Sequence, residues 1–153
     1  MSLQKIQEQV KVILSAVTGV GIVHDYIRWA TDRVKFMALF GHTDGAGKKR
    51  VNAWMITRDK TPSEVASNTH DLRSHNFRIV GVYGHNDADE SEVMFQQIIE
   101  DICTAFRTKY QLNGTANNTE PVQVEMVEYR TFAGMLCHYC ELTLQADEYE
   151  NWS

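Results

Sequence analysis

The segment from Ser91 to Lys109 constrains this chain more than any other. Phe95, Ile98, Ile99, Ile102, Cys103, Phe106 and Tyr110 recur at helical spacing and lay one continuous apolar stripe along it. A stripe of that length must be covered. Just before it, His75–Gly84 alternates: Phe77, Ile79, Gly81 and Tyr83 share one side, and Asn76, Arg78, Val80 and Val82 the other. A strand running into a one-sided helix predicts a sheet with helices laid on it. Between them, His85-Asn86-Asp87-Ala88-Asp89-Glu90 reads as the helix start. Asp87 and Glu90 have capping-box spacing, and the acidic cluster suits the positive end of the helix dipole. Cys103, on the stripe, reads as core.

The rest of the chain fits around this pair. Leu3, Ile6, Val10, Ile13, Leu14 and Val17 form a first amphipathic helix that Gly19 and Gly21 end. Ile22–Trp29 is a short aromatic connector, either a turn or the start of a strand. Val34–Phe40 reads as a buried strand, Gly41–Arg50 as a loop, and Val51–Arg58 as a second strand, making a long-looped hairpin. Asp59–Ser74 is polar and reads as a loop or as a short helix that Pro62 starts. Gln111–Glu120 is a polar loop. Val122–Arg130 is a strand setting Val122, Val124 and Met126 against Gln123, Glu125 and Val127. After the tight turn Thr131–Gly134 comes the last strand, Met135–Ala146. The expected class is α+β: one mostly antiparallel β-sheet with an N-terminal helix and a long second helix packed on one face. Residues 1–147 form a single domain in this reading, and 148–153 a frayed acidic tail.

Composition removes several function classes. The 153 residues carry 15 Lys and Arg against 20 Asp and Glu, a net charge of −5. Proteins that grip phosphate backbones are usually basic, so nucleic-acid binding is disfavoured. No apolar run reaches the roughly 18 residues of a membrane span. No charged start leads into an apolar signal segment, so the chain is expected to stay in the cytosol. Three cysteines do not make a disulfide framework. Cys137 and Cys140 lie three apart in a strand, point to opposite faces and cannot meet. Asn113-Gly114-Thr115 and Asn117-Asn118-Thr119 match the glycosylation pattern but read as a polar loop.

The candidate chemistry is sparse. Gly41–Arg50 misses the phosphate-loop pattern: five residues separate Gly41 from Gly47, Lys49 follows Lys48, and a strand follows where a helix is needed. His24, His42, His70, His75, His85 and His138 are scattered without catalytic or metal-ligand spacing. No catalytic residue, metal or cofactor is expected. Lys48-Lys49-Arg50 is a basic run that reads either as a solvated loop tip or as a partner surface. Arg28-Trp29 and Arg130-Thr131-Phe132 carry residue types enriched at interface centres, though Trp29 and Phe132 would equally close a core. Arg28, Trp29, Lys48, Lys49, Arg50, Arg130 and Phe132 are the candidate interface residues.

These elements together resemble the tail terminator, or tail completion, proteins of tailed phages and prophages. The resemblance covers about residues 1–147. It rests on the first amphipathic helix, the long-looped strand pair, the strand Phe77–Gly84, the helix Ser91–Lys109, and the closing hairpin Val122–Arg130 with Gly134–Leu144. The long Asp59–Ser74 segment departs from it. The resemblance implies a non-enzymatic part: a homo-oligomeric ring, usually a hexamer, on the head-proximal end of the tail tube. Such a ring stops tube polymerisation and joins tail to head. Its implied partners are other copies of itself, the tail tube protein and the head–tail connector proteins. DNA only passes through the bore, and a membrane has no part. The implied location is the host cytoplasm during assembly and then the virion tail. A ring requires two unlike patches that meet between neighbours. The alternatives are a head–tail connector or neck protein, and a small α+β ligand-binding domain or enzyme. The last would show a deep pocket of converging histidines and carboxylates.

Overall fold

The computed structural model describes residues 3–152. The first helix, α1 (Leu3–Ser15), buries Ile6, Val10, Ile13 and Leu14. Gly19 at φ +91° turns the chain, and β1 (Ile22–His24) follows, paired in parallel with β3 (Lys49–Lys60). Asn52 of β3 secures this crossover. It donates to Gly19 O at 2.7 Å, accepts from Gly21 N–H at 3.1 Å, and accepts from the Trp54 indole at 3.0 Å. A Cβ on Gly21 would sit 2.2 Å from the Asn52 carbonyl oxygen, so the approach requires glycine.

Residues Val34–Phe40, expected as a strand, belong to a helix, α2 (Arg33–Phe40). Asp32 caps it, accepting from Lys35 N–H at 3.1 Å. Phe36 and Phe40, four apart, bury one face, and Val34 is exposed. β2 (Gly41–Thr43) then pairs with β3. Asp44 accepts from the N–H groups of Ala46 and Lys48, both at 2.9 Å. That closes the loop early, so Lys49 and Arg50 belong to β3 and not to a loop.

Asp59–Ser74, expected as a loop or short helix, folds mostly as strand. β4 (Ser63–Val65) turns back onto the start of β5 (His70–Gly84). β5 pairs along its whole length with β8 (Met135–Asn151), from His70↔Asn151 to Gly84↔Cys137. The acidic segment expected to fray therefore continues β8 through Asn151, while Ser153 lies outside the described residues. β6 (Asn118–Thr119) pairs with β8 near Ala146, and β7 (Gln123–Phe132) pairs with its first half. An irregularity between Val124 and Met126 breaks the expected alternation of β7. Val124 and Val127, opposite Leu142 and Cys140, share one face, and Met126 takes the other.

The result is an α+β architecture: an eight-stranded, mostly antiparallel sheet with helices on it. α1 and α3 (Ser91–Thr108) cover one face, where Trp54, Phe77, Ile79, Phe95, Ile99 and Leu142 pack. A Cβ on Gly81 would lie 2.3 Å from the Trp54 ring, so a bare backbone makes room for that indole. α2 covers the other face with Phe36, Phe40, Met55, Val82 and Tyr139. Cys137 lies in this second core and Cys140 in the first, on opposite faces as the strand period requires. Both are free thiols, raised above the ordinary value by burial, Cys137 to about 11. Cys103 is half-buried and free. Among the described residues no helix is long and apolar enough to cross a membrane.

Candidate assembly surface

The β7–β8 turn organises the end of the sheet where most of the candidate residues lie. Its central residues, Ala133 and Gly134, both have positive φ (50° and 77°), the mirror-image turn that matches strand twist. Phe132, the last residue of β7, is held beside this turn. It stacks on Trp29 with ring centroids 5.1 Å apart and planes at 15°, and on Phe36 at 5.8 Å and 11°. Trp29 also meets Phe40 at 5.6 Å. Phe132 is half-buried and Trp29 is 46% exposed. The pair therefore does both things the sequence allowed: it closes the second core and leaves an aromatic face in solvent. A depression of ≈ 640 Å³ beside it is lined by Trp29, Asp32, Lys35 and Phe132, among others.

Arg130 lies two residues back on the same face. Its guanidinium is 3.8 Å from the centre of the Tyr139 ring, and its Nε donates to Glu128 at 2.5 Å. That hydrogen bond holds the Arg130 pKa above its ordinary value. Tyr139 in turn donates to Glu141 at 2.8 Å. Burial first, and then the Glu141 carboxylate, push its pKa up to about 12.

The basic run lies on the other side of α2 and the turn. Lys48 pairs with Asp89 at 2.8 Å, and this contact draws the Asp89 carboxyl below its ordinary range. Arg50 is largely buried. It donates to the Tyr83 hydroxyl at 2.9 Å, lies 4.6 Å over that ring, and its Nε is buried without a hydrogen-bond partner. Burial raises the Tyr83 pKa more than Arg50 lowers it. Lys48, Lys49 and Arg50 line a cleft of ≈ 410 Å³ with Arg33, His85 and the turn residue Gly134. The cleft is cationic in a chain whose net charge is −5. Arg28 does not join either group: its guanidinium sits 5.3 Å over Tyr26, and its backbone N–H contacts the Met55 sulfur at 3.4 Å. The structure thus brings Trp29, Arg130 and Phe132 together, sets Lys48, Lys49 and Arg50 across α2 from them, and leaves Arg28 apart.

Sequence reasoning missed Arg33 and His85 in the cleft, and the exposed row Val124, Met126, Val127, Tyr129 and Leu136 on the closing hairpin. The signal for that row was present. A strand with apolar residues on both faces is either buried twice or an edge awaiting a partner.

One further cluster has the atoms of a nucleophile and a base. Ser91 Oγ lies 2.7 Å from His138 Nε2 and accepts from Asn86 N–H at 2.9 Å. His138 also packs against Tyr129, with centroids 4.7 Å apart, and His85 at 5.4 Å. Ser91 and His138 are only 1% and 2% exposed, so no substrate reaches them. Burial holds His138 below the ordinary value and His85 adds to this. The pair instead fastens the start of α3 to β8. The expected capping box does not form. Asn86 caps the turn Asp87–Asp89, and Glu90 enters α3 in the left-handed region at φ 55°. Among the described residues no group of three or more His, Cys, Asp or Glu side chains could hold a metal ion. No protein-family model matches the chain, and no curated protein matches it.

Proposed function

We propose that this chain is a structural subunit of a phage or prophage tail: a ring protein that caps the tail tube, stops its polymerisation and joins tail to head. The observation that carries the reading is the pair of unlike patches flanking α2 at the β7–β8 turn. One is the half-exposed Trp29–Phe132 stack, with Arg130 beside it. The other is the cationic cleft of Arg33, Lys48, Lys49 and Arg50. A closed ring needs heterologous contacts, in which two different surfaces of each subunit meet. Aromatic and arginine side chains at such a surface are the types that carry interface energy. The cleft suits an acidic segment of a neighbour, and acidic segments are plentiful at net charge −5. The element order resembles that of tail terminators, which supports the same reading.

The test is light scattering on a size-exclusion column, across a wide concentration range, with and without the tube protein of the same source. With the tube protein present, a discrete ring that forms on the tube end and halts its growth is expected. Trp29→Ala and the pair Lys49→Glu with Arg33→Glu are each expected to abolish capping while the circular dichroism spectrum is retained. A chain that ignores the tube protein but binds portal or adaptor would make it a connector instead. Binding to neither overturns both.

A further inference from the structure

We infer that β7 is a self-pairing edge: two copies of the free chain join β7 to β7, antiparallel, about a two-fold axis at Tyr129. β7 spans ten residues, and its only strand partner among the described residues is β8. Val124, Val127 and Tyr129 are 44%, 38% and 47% exposed. A long edge with uncovered apolar side chains is a template for another strand.

The hairpin turn fixes which backbone groups point outward. Phe132↔Met135 flanks the two central turn residues and is therefore a hydrogen-bonded pair. Bonded and non-bonded pairs then alternate along the ladder. Arg130↔Cys137 and Glu128↔Tyr139 are bonded, so Arg130 and Glu128 turn their backbone groups inward to β8. Thr131, Tyr129 and Val127 turn theirs outward. The close Tyr129–His138 ring contact, 4.7 Å between centroids, fits a non-bonded pair, where side chains approach most closely.

Only registers that match outward residues to outward residues make a ladder. The regular part of β7, Met126–Phe132, is centred on Tyr129; three such registers lie nearest that centre, and charge separates them. Pairing Val127 with Tyr129 of the second copy sets Glu128 against Glu128. Pairing Tyr129 with Thr131 sets Arg130 against Arg130. Pairing Tyr129 with Tyr129 sets Glu128 against Arg130 twice, with Val127 opposite Thr131 and Met126 opposite Phe132. Opposite charges across a ladder stabilise it and like charges destabilise it. Glu128 and Arg130 share one face of β7, are 40% and 38% exposed and pair with each other within the chain, so in this register the two intrachain pairs join into one alternating set of four charges across the seam. The irregularity at Val124–Met126, with Glu125 within it, ends the regular ladder and limits slippage toward the start of the strand. The occupant is therefore a second copy, selected by charge complementarity. The pairing does not rest on the ring reading, because it concerns the free chain and needs no tube.

Sedimentation of the chain without any tube protein tests it. The mass is expected to rise with concentration from 17.5 kDa toward twice that value. Glu128→Arg alone, or Arg130→Glu alone, is expected to weaken the dimer at least about tenfold, since each sets like charges opposite each other twice. The double exchange Glu128→Arg with Arg130→Glu is expected to restore it. In a Cys103→Ser, Cys137→Ala background, which also removes the thiol opposite Arg130 on β8, an oxidised mixture of Glu128→Cys and Arg130→Cys chains is expected to give a mixed cross-linked dimer. Each variant alone is expected to give little. The cross-link decides the matter even where a charge reversal impairs folding. A monomer at every concentration, a dimer indifferent to both single reversals, or Glu128→Cys cross-linking to itself as readily as to Arg130→Cys would each overturn the inference.

Discussion

Two residues of the closing hairpin hold conformations or protonation states that their surroundings impose. Ala133 sits at φ +50°, a region where a Cβ meets the following carbonyl oxygen, at a cost of roughly 1–2 kcal/mol. Asparagine tolerates that region far better and is favoured in such turns. Ala133→Asn should therefore stabilise the fold by about 1 kcal/mol, read as a rise of roughly 2–4 °C in Tm for a domain of this size. His138 is the second case. It is buried between Ser91, Tyr129 and His85, and its pKa lies below the ordinary 6.5, chiefly through burial and secondly through His85, with Glu92 opposing. A base depressed in the fold binds fewer protons there than in the unfolded chain. Stability therefore rises with pH from the depressed value up to about 6.5, and is lost as pH falls through that window. Urea midpoints measured from pH 7.5 down to pH 5 should decline. In His138→Gln the decline should be shallower, on a baseline lowered by the loss of the Ser91 contact.

At the scale of elements, periodicity identified what was long and left ambiguous what was short. The stripe of α3 from Phe95 to Phe106, the alternation of β5 and the faces of Cys137 and Cys140 follow from side-chain period and stand as read. Tyr110, by contrast, lies beyond the helix end and is exposed, and Cys103, expected in the core, is only half-buried at the edge of the stripe. α2 is the instructive miss. Arg-Val-Lys-Phe-Met-Ala-Leu-Phe is a short apolar run, and periodicity alone cannot separate a buried strand from a short helix in such a run. What decides it is Asp32, whose side chain caps the helix, together with the Phe36–Phe40 spacing against the second core. Two substitutions check this. Phe40→Ala should cost about 3–5 kcal/mol by opening a cavity under Trp29. Val34→Lys, on the exposed side of the helix, should change stability by less than about 0.5 kcal/mol, which a strand between two layers would not allow. The candidate surface was legible in residue type and not in arrangement. Trp29 is far in sequence from Arg130 and Phe132, and only the connection from β1 to α2 and the β7–β8 turn bring them together. The same holds for β4 and for the end of β8. Their polar, charged sequences lack apolar alternation, because what holds them is backbone pairing and ion pairs and not a core.

That last difference governs the molecule as a whole. The β5–β8 ladder is longer than either core. Apolar packing reaches Phe77 on β5 and Ala146 on β8. Beyond them extends an arm made of β4, His70–Arg73 and Glu148–Asn151. Its base is the His75–Glu148 hydrogen bond, at 2.7 Å, with His75 fully buried and its other ring nitrogen 3.0 Å from Thr61 Oγ1. Farther out, Arg73 pairs with Glu150 at 3.2 Å, and Trp152 N–H donates to Thr69 O at 2.8 Å. Exposed ion pairs of this kind contribute on the order of 0–1 kcal/mol, so the arm depends on strand pairing and on the bond at its base. Removing residues 148–153 takes away that base and one side of the ladder at His70–Arg73. Hydrogen-exchange protection of residues 63–73 should then be lost, while α1, α3 and the centre of β5 stay protected. The loss of the His75 partner should cost about 1–3 kcal/mol in overall stability. Glu148→Gln separates the two contributions. It keeps an acceptor for His75 and leaves the backbone ladder intact, so the arm should remain protected. If the arm were a dispensable fray, the truncation would leave both the exchange pattern and the Tm unchanged.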